Sequence, residues 1–134
     1  MLLIAQVALL SGGASAQSCP MQLDEITVRS IHKNWVVKGK PIVGATLSGM
    51  GIIEGPLEGG NGVPPGYLLP ELEEDRIVWR LEYRDRSQEY WFQCVYQKLS
   101  ISRRLLPEIN FCDGGVQVID ARGRKAIRPL GRCE

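Results

Sequence analysis

His32 is the only histidine in a chain of 134 residues. Any Ser-His-Asp or Cys-His nucleophilic site would therefore have to be built on it. Its surroundings, Ile31-His32-Lys33-Asn34-Trp35, carry no nucleophile motif, and Ser48 in Thr46-Leu47-Ser48-Gly49 is not a G-x-S-x-G elbow. A zinc site needs about three His, Cys or carboxylate ligands, and a calcium loop needs spaced aspartates. Neither pattern is present, so no metal and no cofactor is expected. Hydrolysis of a glycosidic bond needs two converging carboxylates, one with a raised pKa. Glu71, Glu73, Glu74 and Asp75 form the acidic cluster of the chain, and such a run of like charge reads as a solvated turn. Gly59-Gly60-Asn61-Gly62 lacks the Lys-Ser/Thr and the following helix of a phosphate-binding loop. No catalytic residue is assigned.

The cysteines carry more information. Cys19, Cys94, Cys112 and Cys133 contain no C-x-x-C pair, which argues against a zinc knuckle and a thioredoxin-like site. Residues 2–10 are apolar apart from Gln6, Ser11-Gly12-Gly13 break the run, and Ala14-Ser15-Ala16 forms an A-x-A cleavage site. The run is too short for a hydrocarbon core of ~30 Å. It reads as an export signal over residues 1–16, leaving 17–134 as a single periplasmic or secreted domain with no stable membrane insertion. In an oxidising compartment four cysteines predict two disulfides. Three connectivities are open. The preferred one joins Cys94 to Cys112, which flank a strand–turn–strand stretch, and Cys19 to Cys133, which ties the ends of the mature chain.

The elements that position these residues follow from composition and periodicity. Hydrophobic residues make up 44% of the chain and charged ones 23%, which is globular, and 15 Gly with 8 Pro predict many turns. A net charge of +1 supplies no general field for nucleic acid. Ile26 to Val37 reads as a strand, and the glycines of Ile42 to Ile53 suggest a bent or bulged one. Residues 55–66 are a Gly/Pro-rich loop. Ile77, Trp79, Leu81 and Tyr83 alternate with polar or β-branched residues, the pattern of a half-buried strand. Tyr90 to Tyr96 is a second strand, and the five residues between suit an antiparallel hairpin. Asp113-Gly114-Gly115 reads as a turn before Val116–Ile119. No amphipathic helix of ten residues or more is expected. The predicted fold is mainly β: a small antiparallel sandwich or barrel-like sheet of six or seven short strands with two disulfides.

Along this order run Cys19-Pro20, Leu68-Leu69-Pro70, Trp79, Tyr90-Trp91-x-x-Cys94-x-Tyr96, Leu106-Pro107, Cys112 and a Cys at the end. The pattern resembles a family of small exported proteobacterial proteins of unknown function, over nearly the whole mature chain. The resemblance implies export and disulfides and brings no catalytic residues.

Two features remain as candidate binding surfaces. Residues 17–97 carry net −3 and residues 98–134 net +4, with Arg122, Arg124, Lys125 and Arg128 in the densest part. Such a patch suits an acidic protein or an anionic envelope polymer, or it serves as the charged edge of a hairpin. Seven of the nine aromatics lie between Tyr67 and Tyr96. On the Tyr90 strand, Trp91, Gln93 and Val95 share one face, and Tyr90, Phe92, Cys94 and Tyr96 the other. Trp91 and Tyr67 are the aromatic candidates, since Trp and Tyr dominate interface energetics. The functional expectation is a non-enzymatic protein-binding module, inhibitor- or immunity-like, with an unknown partner in the cell envelope. The alternatives are a carboxylate-based cell-wall hydrolase and a structural protein binding an anionic polymer.

Overall fold

The computed structural model describes residues 16–60 and 62–134. The expected export signal over residues 1–16, apart from Ala16, and Asn61 of the Gly/Pro-rich loop lie outside the described residues. The element order is β1 (Gln17–Ser18), α1 (Glu25–Asn34), β2 (Val36–Gly39), β3 (Leu47–Glu54), β4 (Gly66–Tyr67), β5 (Glu71–Glu73), β6 (Arg76–Arg80), β7 (Tyr90–Tyr96), β8 (Leu99–Arg104), β9 (Phe111–Ile119) and β10 (Lys125–Cys133). Two antiparallel five-stranded sheets result, one ordered β1-β10-β9-β6-β5 and the other β2-β8-β7-β3-β4. They pack as a sandwich, as the composition predicts. Among the described residues ten strands are present where six or seven were expected; seven have four residues or more, and β1, β4 and β5 are the short ones.

The alternation of β7 decides how the second sheet faces the first. Tyr90, Phe92, Cys94 and Tyr96 are buried, and Trp91, Gln93 and Val95 between them are half-buried. The buried face meets Ile52, Leu99 and Ile101 of its own sheet, and Trp79, Cys112 and Cys133 of the other, in one core. Full burial of a side chain such as Phe92 or Ile52 is worth roughly 1.5–3 kcal/mol.

Four local expectations are corrected. Residues 25–34 form a helix, where alternation suggested a strand. Asp24 caps it, its Oδ1 accepting the Thr27 N–H at 2.7 Å, with Glu25 in the first turn and His32 and Lys33 in the last. Val28, Ile31 and Trp35, spaced three and four apart, pack on the core. This stripe and the cap outweigh the β-branched composition.

β6 and β7 do not form a hairpin. They belong to different sheets, and the intervening residues cross from one sheet to the other. The Arg84 guanidinium stabilises that crossing. It donates to the carbonyls of Leu81 at 3.1 Å and Pro107 at 3.0 Å, and also to Ile109, so it ties the β6–β7 connection to the β8–β9 connection.

Asp113-Gly114-Gly115 is not a turn. β9 runs through it as a bulge, with register shifts against both β6 and β10. The Asp113 carboxylate accepts the Gly115 N–H at 2.9 Å and an ion pair from Arg76. The glycines are there for space and conformation: Gly115 has φ +127°, and a Cβ on Gly114 would lie 2.9 Å from the Trp79 ring.

The disulfides are Cys19–Cys94 and Cys112–Cys133, not the expected pairs. Because β9 continues past Cys112, the β9–β10 register sets Cys133 directly opposite it. Cys94 points into the core, where Cys19 arrives from the strand paired with β10. Its N–H donates to the Gly131 carbonyl at 2.8 Å. One bridge thus joins two neighbouring strands of one sheet, and the other joins the two sheets. Among the described residues no helix is long and apolar enough to cross a membrane.

Non-reducing peptide mapping of residues 17–134 should link Cys19 to Cys94 and Cys112 to Cys133. Closure of the longer loop contributes about 4–5 kcal/mol on the chain-entropy model and of the shorter about 3 kcal/mol. Urea unfolding should therefore show a larger loss for the Cys19→Ser/Cys94→Ser double variant than for Cys112→Ser/Cys133→Ser. Equal losses would refute loop closure as the source.

Candidate functional site

An apolar cleft of about 560 Å³ lies between the sheets, within the range of small-ligand and side-chain pockets. Gly49, Met50 and Gly51 of β3 form one wall, and Ile77 and Trp79 of β6 with Gln117 and Ile127 of β9 and β10 form the other. The β4–β5 connection, Leu68-Leu69-Pro70, runs along its mouth. This connection is held on both sides. The Leu68 N–H donates to the Ile52 carbonyl at 2.9 Å, and the Trp79 Nε1–H donates to the Leu68 carbonyl at 3.0 Å. Leu69 is 91% exposed and Leu72 58%, so the rim is apolar as well as the walls.

The β3 edge along this cleft is unpaired among the described residues. At one end the Leu47 N–H donates to the Met21 carbonyl beside the Gln22–Thr46 bridge. At the other end β4 pairs only with Ile53 and Glu54. Among the described residues no strand is hydrogen-bonded to Ser48–Gly51 on this side, although β10 of the facing sheet comes close to β3. A Cβ on Gly49 would meet nothing within 4 Å, and its φ is not positive. The fold itself therefore does not demand glycine at this position. Gly51 differs, since the Tyr67 ring covers it at 3.2 Å from where a Cβ would be.

A second hollow, of about 440 Å³, lies at the end of β8. Trp35 and Trp91 line it, with His32, Lys33, Asn34, Ser102, Arg103 and Arg104. The Arg103 guanidinium sits 4.8 Å from the Trp35 ring centre and that of Arg104 5.6 Å from the Trp91 ring centre.

The sequence candidates fall into two groups. Trp91 and Tyr67 are brought together on one face of the second sheet, on either side of Ile53, which pairs with both. The Tyr67 hydroxyl donates to Gln93 Oε1 at 2.8 Å on the same face. Yet they line different hollows, Tyr67 the cleft and Trp91 the β8 pocket. Arg122, Arg124, Lys125 and Arg128 lie apart from both, exposed on the β9–β10 hairpin of the other sheet. Asp120 organises that turn, accepting the N–H groups of Arg122 at 2.8 Å and Arg124 at 2.9 Å and pairing with the Arg124 side chain. These charges lie along a sheet edge that β1 covers only at Arg132 and Cys133, where they oppose strand addition.

The acidic cluster lies on the β5–β6 hairpin. Glu73 is tied to Arg80 at 2.5 Å, and none of Glu71, Glu73, Glu74 and Asp75 lines the cleft. One hollow of about 230 Å³ does bring two carboxylates together, Asp113 and Glu134, but Arg76 and Arg132 pair with them. Among the described residues no group of three or more His, Cys, Asp or Glu could hold a metal. His32 is exposed at the end of α1. The residues that sequence reasoning missed are Met50, Leu72 and Ile127 of the cleft and Trp35 and Arg103 of the pocket. The Leu68-Leu69-Pro70 run beside the Trp79 strand was the available signal for the cleft; nothing in the spacing marked the pocket.

Comparison of the chain with protein-family models, with curated proteins and with solved structures returns no match. The site is therefore read from its own geometry.

Two buried tyrosines set the alkaline behaviour. The Tyr90 hydroxyl donates to Glu54 Oε2 at 2.6 Å and accepts the Asp85 N–H at 3.1 Å. Burial, then the hydrogen bond to Glu54 and its charge, push the Tyr90 pKa up to about 12, and burial raises Tyr96 too. The folded state keeps these protons after the unfolded chain has lost them. Their contribution is complete below the ordinary tyrosine pKa of 10 and is lost as pH rises through 12. Unfolding free energy should thus fall with pH between about 10 and 12, and more gently in Tyr90→Phe. An unchanged slope in that variant would remove Tyr90 as a contributor.

Proposed function

We propose that the chain is an exported, non-enzymatic binding protein of the periplasm or cell surface, and that its apolar cleft takes an extended apolar segment of a partner protein. The observation that carries this is the unpaired β3 edge at Ser48–Gly51 running along the cleft. An acyl chain could fill the apolar volume but has no use for backbone N–H and C=O groups. An extended peptide uses both: its main chain continues the sheet and alternate side chains enter the cleft. Two bridges and anchored connections support the reading by making the scaffold rigid, which lowers the ordering cost of association. Export rests on the A-x-A signal, and two disulfides fit an oxidising compartment. The resemblance to small exported proteobacterial proteins points the same way. A cell-wall hydrolase gains no support from the geometry, because the acidic cluster is spread along a hairpin.

The test uses residues 17–134 as bait for envelope proteins, with Leu72→Glu as the contrast. Leu72 is largely exposed at the rim, so the change places a charge at the cleft without breaking the core. Loss of an interface anchor costs ≥ ~2 kcal/mol, about thirtyfold in affinity. A specific partner should be captured by the wild type and lost by Leu72→Glu, and hydrogen exchange at Ser48–Gly51 should slow on binding. Glu73→Gln and Glu74→Gln should bind as the wild type does. If Leu72→Glu captures the same proteins equally well, the cleft is not the site. If a carboxylate variant abolishes an activity on cell-wall material while folding normally, the hydrolase replaces this reading.

A further inference from the structure

The pocket at the end of β8 has a chemistry opposite to that of the cleft. Lys33, Arg103 and Arg104 line it together with His32, and no carboxylate does. Glu89 reaches Arg104 at 3.2 Å from outside the lining, whereas Arg103 makes no salt bridge among the described residues and rests on Trp35. The Gln17 amide spends its oxygen on the Leu106 N–H and its nitrogen on the Arg104 carbonyl, both at 3.0 Å. Among the described residues, one buried side-chain polar atom lacks a partner, Nε1 of Trp91, and it is shielded from solvent. Guanidinium, ammonium and indole N–H groups only donate. The lining thus gathers positive charge that no carboxylate among its own residues meets.

The helix end explains part of this arrangement, since His32 and Lys33 favour the C-terminal dipole of α1. It does not explain Arg103 and Arg104 on β8. Those two extend past Val36, where β2 stops pairing and the Gln17 amide takes over at the Arg104 carbonyl, with an indole on each side. Donors and positive charge call for an oxyanion. Indole rings favour the C–H face of a sugar.

We propose that the Trp35–Trp91 pocket binds an oxyanion carried on a sugar ring, the repeating chemistry of an anionic envelope glycan. The site is independent of the cleft. It also places the anion on β8 rather than on the β9–β10 hairpin that carries the densest positive charge in the sequence.

The experiment is a titration of ¹⁵N-labelled residues 17–134, followed by the indole N–H resonances, with three probes: oligoglucuronate, glucose 1-phosphate and glucose. An acidic sugar should shift the Trp35 and Trp91 signals and leave Trp79 unmoved, and glucose should do nothing. Which acid binds more tightly distinguishes a carboxylated from a phosphorylated glycan. Arg103→Gln and, separately, the exposed Lys33→Gln should each weaken binding, the first at least tenfold, with thermal midpoints showing that both fold. The hairpin variant Arg122→Gln/Arg128→Gln should bind unchanged. Shifts with glucose equal to those with the acids, absence of shifts with either acid at millimolar concentration, or loss of binding in the hairpin variant but not in Arg103→Gln would each overturn the proposal.

Discussion

The Cys19–Cys94 bridge crosses the space between the sheets, and the other packing choices follow from it. Cys19 leaves β1 and Cys94 sits on the buried face of β7, with their Cα atoms 5.6 Å apart. At that distance the strands beside them must come close. Gly131 shows how close: a Cβ there would lie 2.9 Å from Cys19 Cβ and 3.1 Å from a Leu47 methyl. Its φ of +65° also suits glycine. β10 can approach β3 only where a residue has no side chain. A small domain has limited apolar area to offset its conformational entropy. A covalent inter-sheet tie therefore carries more weight here than in a larger protein.

Local patterning made part of this legible. The Tyr90–Tyr96 strand could be read with both its faces, because strict alternation with aromatic residues has one physical solution in a half-buried sheet. Sheet membership could not be read. The residues between Arg80 and Tyr90 look like a hairpin connection because they are few and polar. Their path is set by Arg84, whose guanidinium holds carbonyls some 25 residues further along. Asp113-Gly114-Gly115 has the composition of a turn, and what keeps it in β9 is non-local: the ring of Trp79 over Gly114 and the Arg76 ion pair on Asp113. The disulfide pairing is hidden in the same way, because Cys112 faces Cys133 only through the β9–β10 register, while its flanking position in the sequence points to Cys94. The helix at 25–34 was a different failure. Its capping aspartate and its Val28-Ile31-Trp35 stripe are local, but β-branched composition obscured them.

The candidate site was legible to a smaller degree. Trp91 and Tyr67 do share a face, yet the cleft wall opposite Tyr67 comes from β6, β9 and β10, which no local pattern connects to it. The basic hairpin stands out in the sequence because its charges are contiguous. Charge contiguous in sequence is often charge spread along a strand edge and matched in its own turn, as Asp120 does for Arg124. The β8 pocket works the other way. Its charges come from a helix end and a strand end about 70 residues apart, so they look unremarked in sequence and converge only in the fold.

Both hollows arise where a short edge strand stops before the strand it covers. β4 pairs with two residues of β3 and leaves Ser48–Gly51 unpaired. β2 pairs with β8 from Leu99 to Ser102 and leaves Arg103 and Arg104 beyond it. Open edges are a hazard, because they add strands from any chain that presents one. The two ends deal with this differently. At β8, paired guanidiniums make strand addition unfavourable and leave a polar pocket. At β3 there is no charge, and Gly49, Met50 and Gly51 lie beside an apolar hollow. One unpaired edge is thus flanked by charge and the other is uncharged and carries two glycines in four residues, and this asymmetry, more than the size of the cleft, is what the proposed pairing of an extended partner rests on.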